Sequence, residues 1–185
     1  MLATNEECLE LMRATKDDTD IAESYLLDYE KELRAYQNYR LTYMTKSNGV
    51  SVGRGNLPGH PTESAAIRGV EFDNNYPGYL WLKAIEIVLR NLGEQKYHFV
   101  ILRREAEACK SIIHKTGGRP SWVPYLQCKY SAWLAERYIG KEYVPSEKTI
   151  RLWWKGIVDK VVLVKLKLEE NKKNSLRLPK TPSQT

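Results

Sequence analysis

Apolar residues recur every three or four positions along most of the chain, and this spacing predicts helices. The pattern is strongest over residues 79–115, where one apolar face runs up to Gly93 and a less regular face continues to His114. Glycine costs about 1 kcal/mol in a helix interior, so Gly93 predicts two helices here. No segment alternates with period two for long enough to form a strand. The sequence therefore predicts an all-α fold.

A long N-terminal helix is predicted over residues 19–44, which contain no glycine or proline and can be capped by Thr19 or Asp20. A stripe of mostly apolar and aromatic residues follows heptad spacing along it: Ala22, Leu26, Tyr29, Leu33, Tyr36, Arg40 and Tyr43. Such a stripe can pair with a second copy of the chain, as in a coiled coil. It can equally pack against its own domain, and the pattern leaves both possibilities open.

Composition divides the chain into four segments. Residues 1–44 form a helical segment suited to oligomerisation, and residues 45–62, with four glycines and two prolines, form a linker. Residues 63–170 are predicted to form a helical domain, which begins with a short helix capped at Thr62. Residues 171–185 are a basic, flexible tail.

Charge is distributed unevenly along the chain. The net charge is +6, yet residues 1–30 hold nine acidic and two basic residues, whereas residues 137–185 hold twelve basic and five acidic ones. This polarity indicates that any contact with nucleic acid comes from the C-terminal part. A solvated helix surface followed by a basic tail would explain the same charges.

The stretch "VPSEKTIRLWWKGIVDK" has the pattern of a recognition helix. Ser146 precedes an unbroken helical pattern and is a natural N-cap. With a helix over 125–138 it forms a candidate helix-turn-helix over 125–168, although "IGKEYVP" is longer than the usual turn of about three or four residues. The alternative is two packed core helices without a DNA role. Three basic residues share one face of the second helix: Lys148, Arg151 and Lys155.

Two further features extend this prediction. Adjacent helical residues point about 100° apart, so we expect one of the paired tryptophans to be buried. We predict that Trp153 is in the core and that Trp154 lies at an interface or domain edge. Lys172 and Lys173 in the tail are expected to add phosphate attraction that does not depend on sequence.

Several function classes lack the residues they need. Cys8, Cys109 and Cys128 share no close spacing, so neither disulfides nor a zinc site is indicated. No Ser-His-Asp or Cys-His arrangement is suggested, and we expect neither enzymatic activity nor a cofactor. No apolar run approaches the roughly 18–20 residues that span a bilayer, and the acidic N-terminus does not look like a signal peptide. These patterns predict a cytoplasmic protein.

Three stretches together resemble a known family: "GNLPGHPTESAAIRGVE", "LKAIEIVLRNLGEQKYHFVILRRE" and "VPSEKTIRLWWKGIVDKVV". They are similar to the phage late-transcription regulators of the RinA/ArpU type, although residues 108–124 look like an insertion. The resemblance implies a helix-turn-helix akin to sigma-factor region 4. It also implies a role at promoter DNA for Ser146 and Thr149, which match the family's Ser-x-x-Thr start, and for their neighbours Lys148 and Arg151. Self-association and a phage origin are implied as well.

Three functional hypotheses follow. The leading one is a sequence-specific regulator that binds double-stranded DNA as a homo-oligomer, activates late phage genes in the bacterial cytoplasm and has bacterial RNA polymerase as a candidate partner. The second is a small terminase subunit, which would assemble into a ring for genome packaging. The third is a protein-binding inhibitor or polymerase-associated factor, in which the acidic N-terminal helix is the working surface.

Overall fold

The structure is a computed structural model that describes residues 5–48, 61–114, 121–138 and 143–177. Within these ranges all regular elements are helices, which confirms the all-α fold class. In chain order they are α1 (Asn5–Leu27), α2 (Tyr29–Asn48), α3 (Pro61–Asn75), α4 (Tyr79–Arg90), α5 (Glu94–His114), α6 (Trp122–Arg137) and α7 (Glu147–Arg177).

The N-terminal helix differs from its prediction. Helix α1 begins at Asn5, so Thr19 and Asp20 lie inside it, and the predicted cap at these residues is wrong. Asp28 separates α1 from α2, but its N–H still donates to the Ser24 carbonyl at 3.0 Å. The break is therefore a bend in a nearly continuous helical path. Helix α2 continues through residues 45–48 of the predicted linker, and residues 49–60 lie outside the described residues.

The boundary between α4 and α5 confirms the prediction made from Gly93, because α4 ends at Arg90 and α5 begins at Glu94. Helix α3 is longer than the short helix expected. A turn at Gly78 joins α3 to α4 with a positive φ of 89°. A Cβ at this position would overlap the Tyr25 hydroxyl. The positive φ and this close contact both require glycine at the turn.

One hydrophobic core draws on five helices. Helix α7 packs mainly along α4 and α1, and α5 packs against α6. The largest fully buried apolar side chains come from all five of these helices: Leu26, Ile85, Phe99, Val100, Val123, Leu126, Tyr130, Ile150, Val158 and Val161. Helix α7 therefore presents one side to the body and leaves the other exposed.

The heptad stripe of the N-terminal helix packs within its own chain. Ala22 and Leu26 are buried in the common core. Further along, the Tyr36 ring lies 5.8 Å from Phe72, and Arg40 Nε lies 3.3 Å from the Asp73 carboxylate on α3. The stripe therefore packs against the body and against α3. We call α2 and α3 together the aromatic arm.

Candidate nucleic-acid interface

Ser146 caps the start of α7. Its Oγ accepts a hydrogen bond from the Thr149 N–H at 3.1 Å, and the two hydroxyls lie 2.9 Å apart. This confirms the predicted N-cap. The preceding residue, Pro145, is buried, and its carbonyl accepts a hydrogen bond from Gln127 Nε2 of α6 at 2.9 Å. The N-terminus of α7 is thus fixed on α6.

The first turns of α7 expose a basic surface. Lys148, Arg151 and Lys155 are all exposed, and they line one shallow depression together with Glu147 and Leu152. Leu152 is 57% exposed, as is Leu163 further along the same helix. We call Lys148, Arg151, Leu152 and Lys155 the basic face. Arg151 and Leu152 follow Lys148 by three and four residues and precede Lys155 by four and three, so the helix places all four on one side.

Arg151 is held in place by two neighbours. Its Nη2 lies 2.7 Å from the Glu147 carboxylate, and its guanidinium lies 5.8 Å from the centre of the Trp122 ring at the start of α6. An exposed pair of this kind contributes only about 0.3–0.5 kcal/mol. Arg151 can therefore exchange Glu147 for a stronger anionic partner at little cost.

The adjoining, inward side of α7 is fixed by Trp154, which is only 5% exposed. Its Nε1–H donates to the Glu23 carboxylate of α1 at 2.8 Å. Its ring lies 5.1 Å from the Arg103 guanidinium, which lies 4.5 Å from the Trp122 ring as well. Arg103 is itself 3% exposed and pairs with Glu107 at 2.7 Å. This cluster joins α1, α5, α6 and α7 beneath the basic face.

The prediction for the two tryptophans is wrong in its assignment. Trp154 is the buried one, whereas Trp153 is half-buried and packs edge-on against Phe99 and Tyr130, at 5.8 Å from each ring. The physical reason is that Glu23 and Arg103, which are distant in sequence, give the Trp154 side of α7 both a hydrogen-bond acceptor and a cation. Local periodicity does not reveal such partners.

Lys172 and Lys173 are placed elsewhere. Residues 171–177 continue α7, so the predicted flexible tail is wrong there, and residues 178–185 lie outside the described residues. Lys172 Nζ donates to the Asn74 carbonyl of α3 at 3.1 Å. A helix rises about 1.5 Å per residue, which places Lys172 roughly 36 Å along α7 from Lys148. The structure therefore does not bring these two lysines to the basic face.

The connection between α6 and α7 is longer than the turn of a tight helix-turn-helix. Helix α6 begins at Trp122, before the predicted residue 125, and ends at Arg137. Helix α7 begins at Glu147, and residues 139–142 of the connection lie outside the described residues. The long connection expected from "IGKEYVP" is therefore present. Its C-terminal end is attached to α6 by the hydrogen bond from Gln127 to the Pro145 carbonyl.

Some contributors to this surface were not predicted. Leu152 follows Lys148 by four residues, so helical spacing alone could have placed it on the basic face. Trp122 and Arg103 had no such signal, because they reach α7 only through the tertiary fold. Among the described residues, no group of three or more His, Cys, Asp or Glu side chains is arranged to hold a metal ion. No described helix is long and apolar enough to cross a membrane.

Comparisons of the chain with protein-family profiles, with characterised proteins and with solved structures gave no match. The resemblance to phage late-transcription regulators stays a prediction.

Proposed function

We propose that this chain binds double-stranded DNA through the basic face of α7. The observation that carries the proposal is the division of this helix into two sides. One side is fixed by Ile150, Trp154 and Ile157 in the core, and the other exposes three cations and a leucine. A major groove about 12 Å wide admits a helix, and a helix held rigidly from behind can enter it without losing conformational freedom.

The side chains have distinct roles in this proposal. Arg151 and Lys148 contact base edges or phosphates, and Leu152 offers an apolar contact of the kind that a thymine methyl group accepts. Lys155 contacts phosphate. Ser146 and Thr149 bond to each other in the cap, so they act by fixing the N-terminus of α7. The positive end of the helix dipole at this terminus favours an approaching phosphate.

The resemblance to phage regulators supports a more specific proposal. In it the DNA is a promoter, and the chain activates late genes in a bacterial cytoplasm as a homo-oligomer, with RNA polymerase as a candidate partner. Lys172 and Lys173 lie too far along α7 to share a single groove contact with Arg151. They are assigned only to general phosphate attraction.

The salt dependence of duplex binding tests the proposal. Lys148→Ala, Arg151→Ala and Lys155→Ala are combined, and binding to random and selected duplexes is measured from low to moderate salt. Each lost phosphate contact should reduce the slope of log K against log salt by about 0.9. The combined variant should therefore lose both affinity and slope.

A control with the same change in net charge is available on another surface. Lys83, Arg90 and Lys96 are exposed on α4 and α5, away from the basic face. Their combined replacement by alanine should leave the slope close to that of the unaltered protein. Equal losses in the two triple variants would mean that binding follows net charge alone, and the basic face would then have no special role.

A further inference from the structure

The aromatic arm carries a groove that DNA binding does not use. It encloses about 480 Å³ between α2 and α3 and reaches the turn after α3. Four aromatic rings, one proline and one amide line it: Tyr39, Tyr43, Phe72, Asn75, Tyr76 and Pro77. This volume lies in the range of sites that take small ligands or short peptide segments.

Two of the rings that line this groove, those of Tyr39 and Tyr43, are exposed. Tyr39 is 63% exposed, although its ring lies 6.2 Å from that of Tyr76. The Tyr43 ring lies 5.2 Å from that of Phe72. The rings are therefore arranged against one another while their outer faces remain accessible.

Polar contacts hold α2 and α3, the two helices that carry the groove, against each other. The Tyr36 hydroxyl donates to the Asp73 carboxylate at 2.5 Å, and Arg40 pairs with the same carboxylate. Burial, followed by this hydrogen bond, raises the pKa of Tyr36, so its hydroxyl keeps its proton and remains a donor. A groove fixed in this way needs little ordering when it binds a partner.

Grooves lined by aromatic rings favour segments that form a polyproline II helix. Such a helix has three residues per turn, so prolines three positions apart lie along one edge. The C-terminal sequence "RLPKTPSQT" contains this spacing at Pro179 and Pro182. The amide of Asn75 can donate to the backbone carbonyls of such a segment, which make no hydrogen bonds within the polyproline helix.

The C-terminal part of α7 contacts the turn region that borders the groove. Helix α7 runs to Arg177, and near its end Lys172 bonds to the carbonyl of Asn74. Asn74 directly precedes Asn75, Tyr76 and Pro77, which form one wall of the groove. An extended segment advances about 3.1 Å per residue, so the six residues from 178 to 183 can reach roughly 19 Å beyond the end of α7. Tethering also gives an effective concentration on the order of millimolar, at which modest affinity is enough.

We propose that the groove of the aromatic arm binds the Pro179–Pro182 segment of the same chain. The contact would join the C-terminal end of α7 to α2 and α3, which otherwise meet the body mainly through α4 and α1. It is independent of DNA binding, since it uses none of the residues of the basic face.

Photo-crosslinking in the full-length chain tests this contact. The photoreactive residue p-benzoylphenylalanine replaces Ser183, just beyond the proline pair, and the crosslinked sites are mapped by mass spectrometry. Crosslinks are expected on residues that line the groove, such as Tyr39 and Tyr76. Illumination of a mixture of isotopically labelled and unlabelled chains should give no hybrid products.

Matched variants identify which chemistry makes the contact. Pro179→Ala combined with Pro182→Ala should abolish the crosslinks to the arm, whereas Lys180→Ala combined with Thr181→Ala should retain them. Tyr39→Ala should also abolish them. Its control is Tyr97→Ala on α5, because Tyr97 is likewise exposed, at 45%, but lies outside the arm.

Three results would overturn the proposal. Hybrid products would show that the segment binds another copy of the chain. Crosslinks outside the arm would show that the segment binds elsewhere. Crosslinks that survive replacement of both prolines would show that tethering alone brings the segment near the arm. None of these readouts requires DNA, so the proposed function can fail without affecting this test.

Discussion

The basic face of α7 and the groove of the aromatic arm use aromatic residues in opposite ways. Beneath the basic face, the buried Trp154 and the partly buried Trp122 both lie against Arg103, while the cations are exposed. In the arm, Tyr39 and Tyr43 point outward, and the charged pair of Arg40 and Asp73 lies between the helices. The first surface suits a polyanion. The second suits an apolar, proline-containing segment.

This difference also separates stability from binding. Trp154 is buried, and removing its ring takes contacts away from the folded state. The Tyr39 ring contributes little to folding, because 63% of the residue's surface remains exposed. Substitutions in the two regions should therefore have unequal effects on unfolding.

The largest effect is expected at Trp154. Replacing a buried tryptophan by alanine costs about 3–5 kcal/mol, and Trp154→Ala also removes the hydrogen-bond donor to Glu23. Tyr39→Ala should change the free energy of unfolding by no more than about 0.5 kcal/mol, as is usual for surface positions. Urea unfolding of both variants measures the difference. Similar losses in the two proteins would mean that the arm is as important to the core as the tryptophan cluster.

A smaller effect is expected at the helix caps. Ser146→Ala removes a side-chain hydrogen bond to the N-terminus of α7 and should cost about 1 kcal/mol. Ser121 occupies the equivalent position before α6 but makes no side-chain cap hydrogen bond. Ser121→Ala should therefore be nearly neutral in the same unfolding experiment. If the two substitutions reduced the free energy of unfolding equally, the hydrogen bond at Ser146 would not explain the loss.

The smallest effect compares one glycine from each region. A Cβ at Gly156 of α7 would meet nothing within 4 Å, so Gly156→Ala should stabilise the protein by about 0.5–1 kcal/mol. A Cβ at Gly69 of α3 would lie 3.0 Å from Nη2 of Arg40, which would have to move. Gly69→Ala should therefore stabilise the protein by less than Gly156→Ala does. A thermal melt in which Gly69→Ala is the more stable variant would show that Arg40 can shift without cost.

Features set by neighbouring residues were predictable from the sequence. The Ser146 cap, the interruption at Gly93 and the shared side of Lys148, Arg151 and Lys155 depend on residues a few positions apart. The bend at Asp28 was not predictable, because no glycine or proline marks it. Local sequence gives no indication of such a bend.

Features set by distant residues were missed or misassigned. The burial of Trp154 depends on Glu23 and Arg103, and the groove of the arm depends on α2 and α3 packing side by side. The sequence showed an aromatic stripe over 19–44 but left open whether it pairs with another copy. Contacts with Phe72 and Asp73 on α3 show that part of the stripe packs within the chain, and periodicity alone cannot supply them.

The most direct test of the central claim compares two arginines in the same local setting. Arg151 and Arg90 are both exposed, and each pairs with a glutamate four residues earlier, at 2.7 and 2.6 Å. Binding of Arg151→Ala and Arg90→Ala to the preferred duplex is measured beside the unaltered protein at one salt concentration. Arg151→Ala should bind more weakly by about 1–3 kcal/mol and discriminate less between sequences, while Arg90→Ala should bind normally. Equal affinity of the two variants would contradict the assignment of the basic face to DNA.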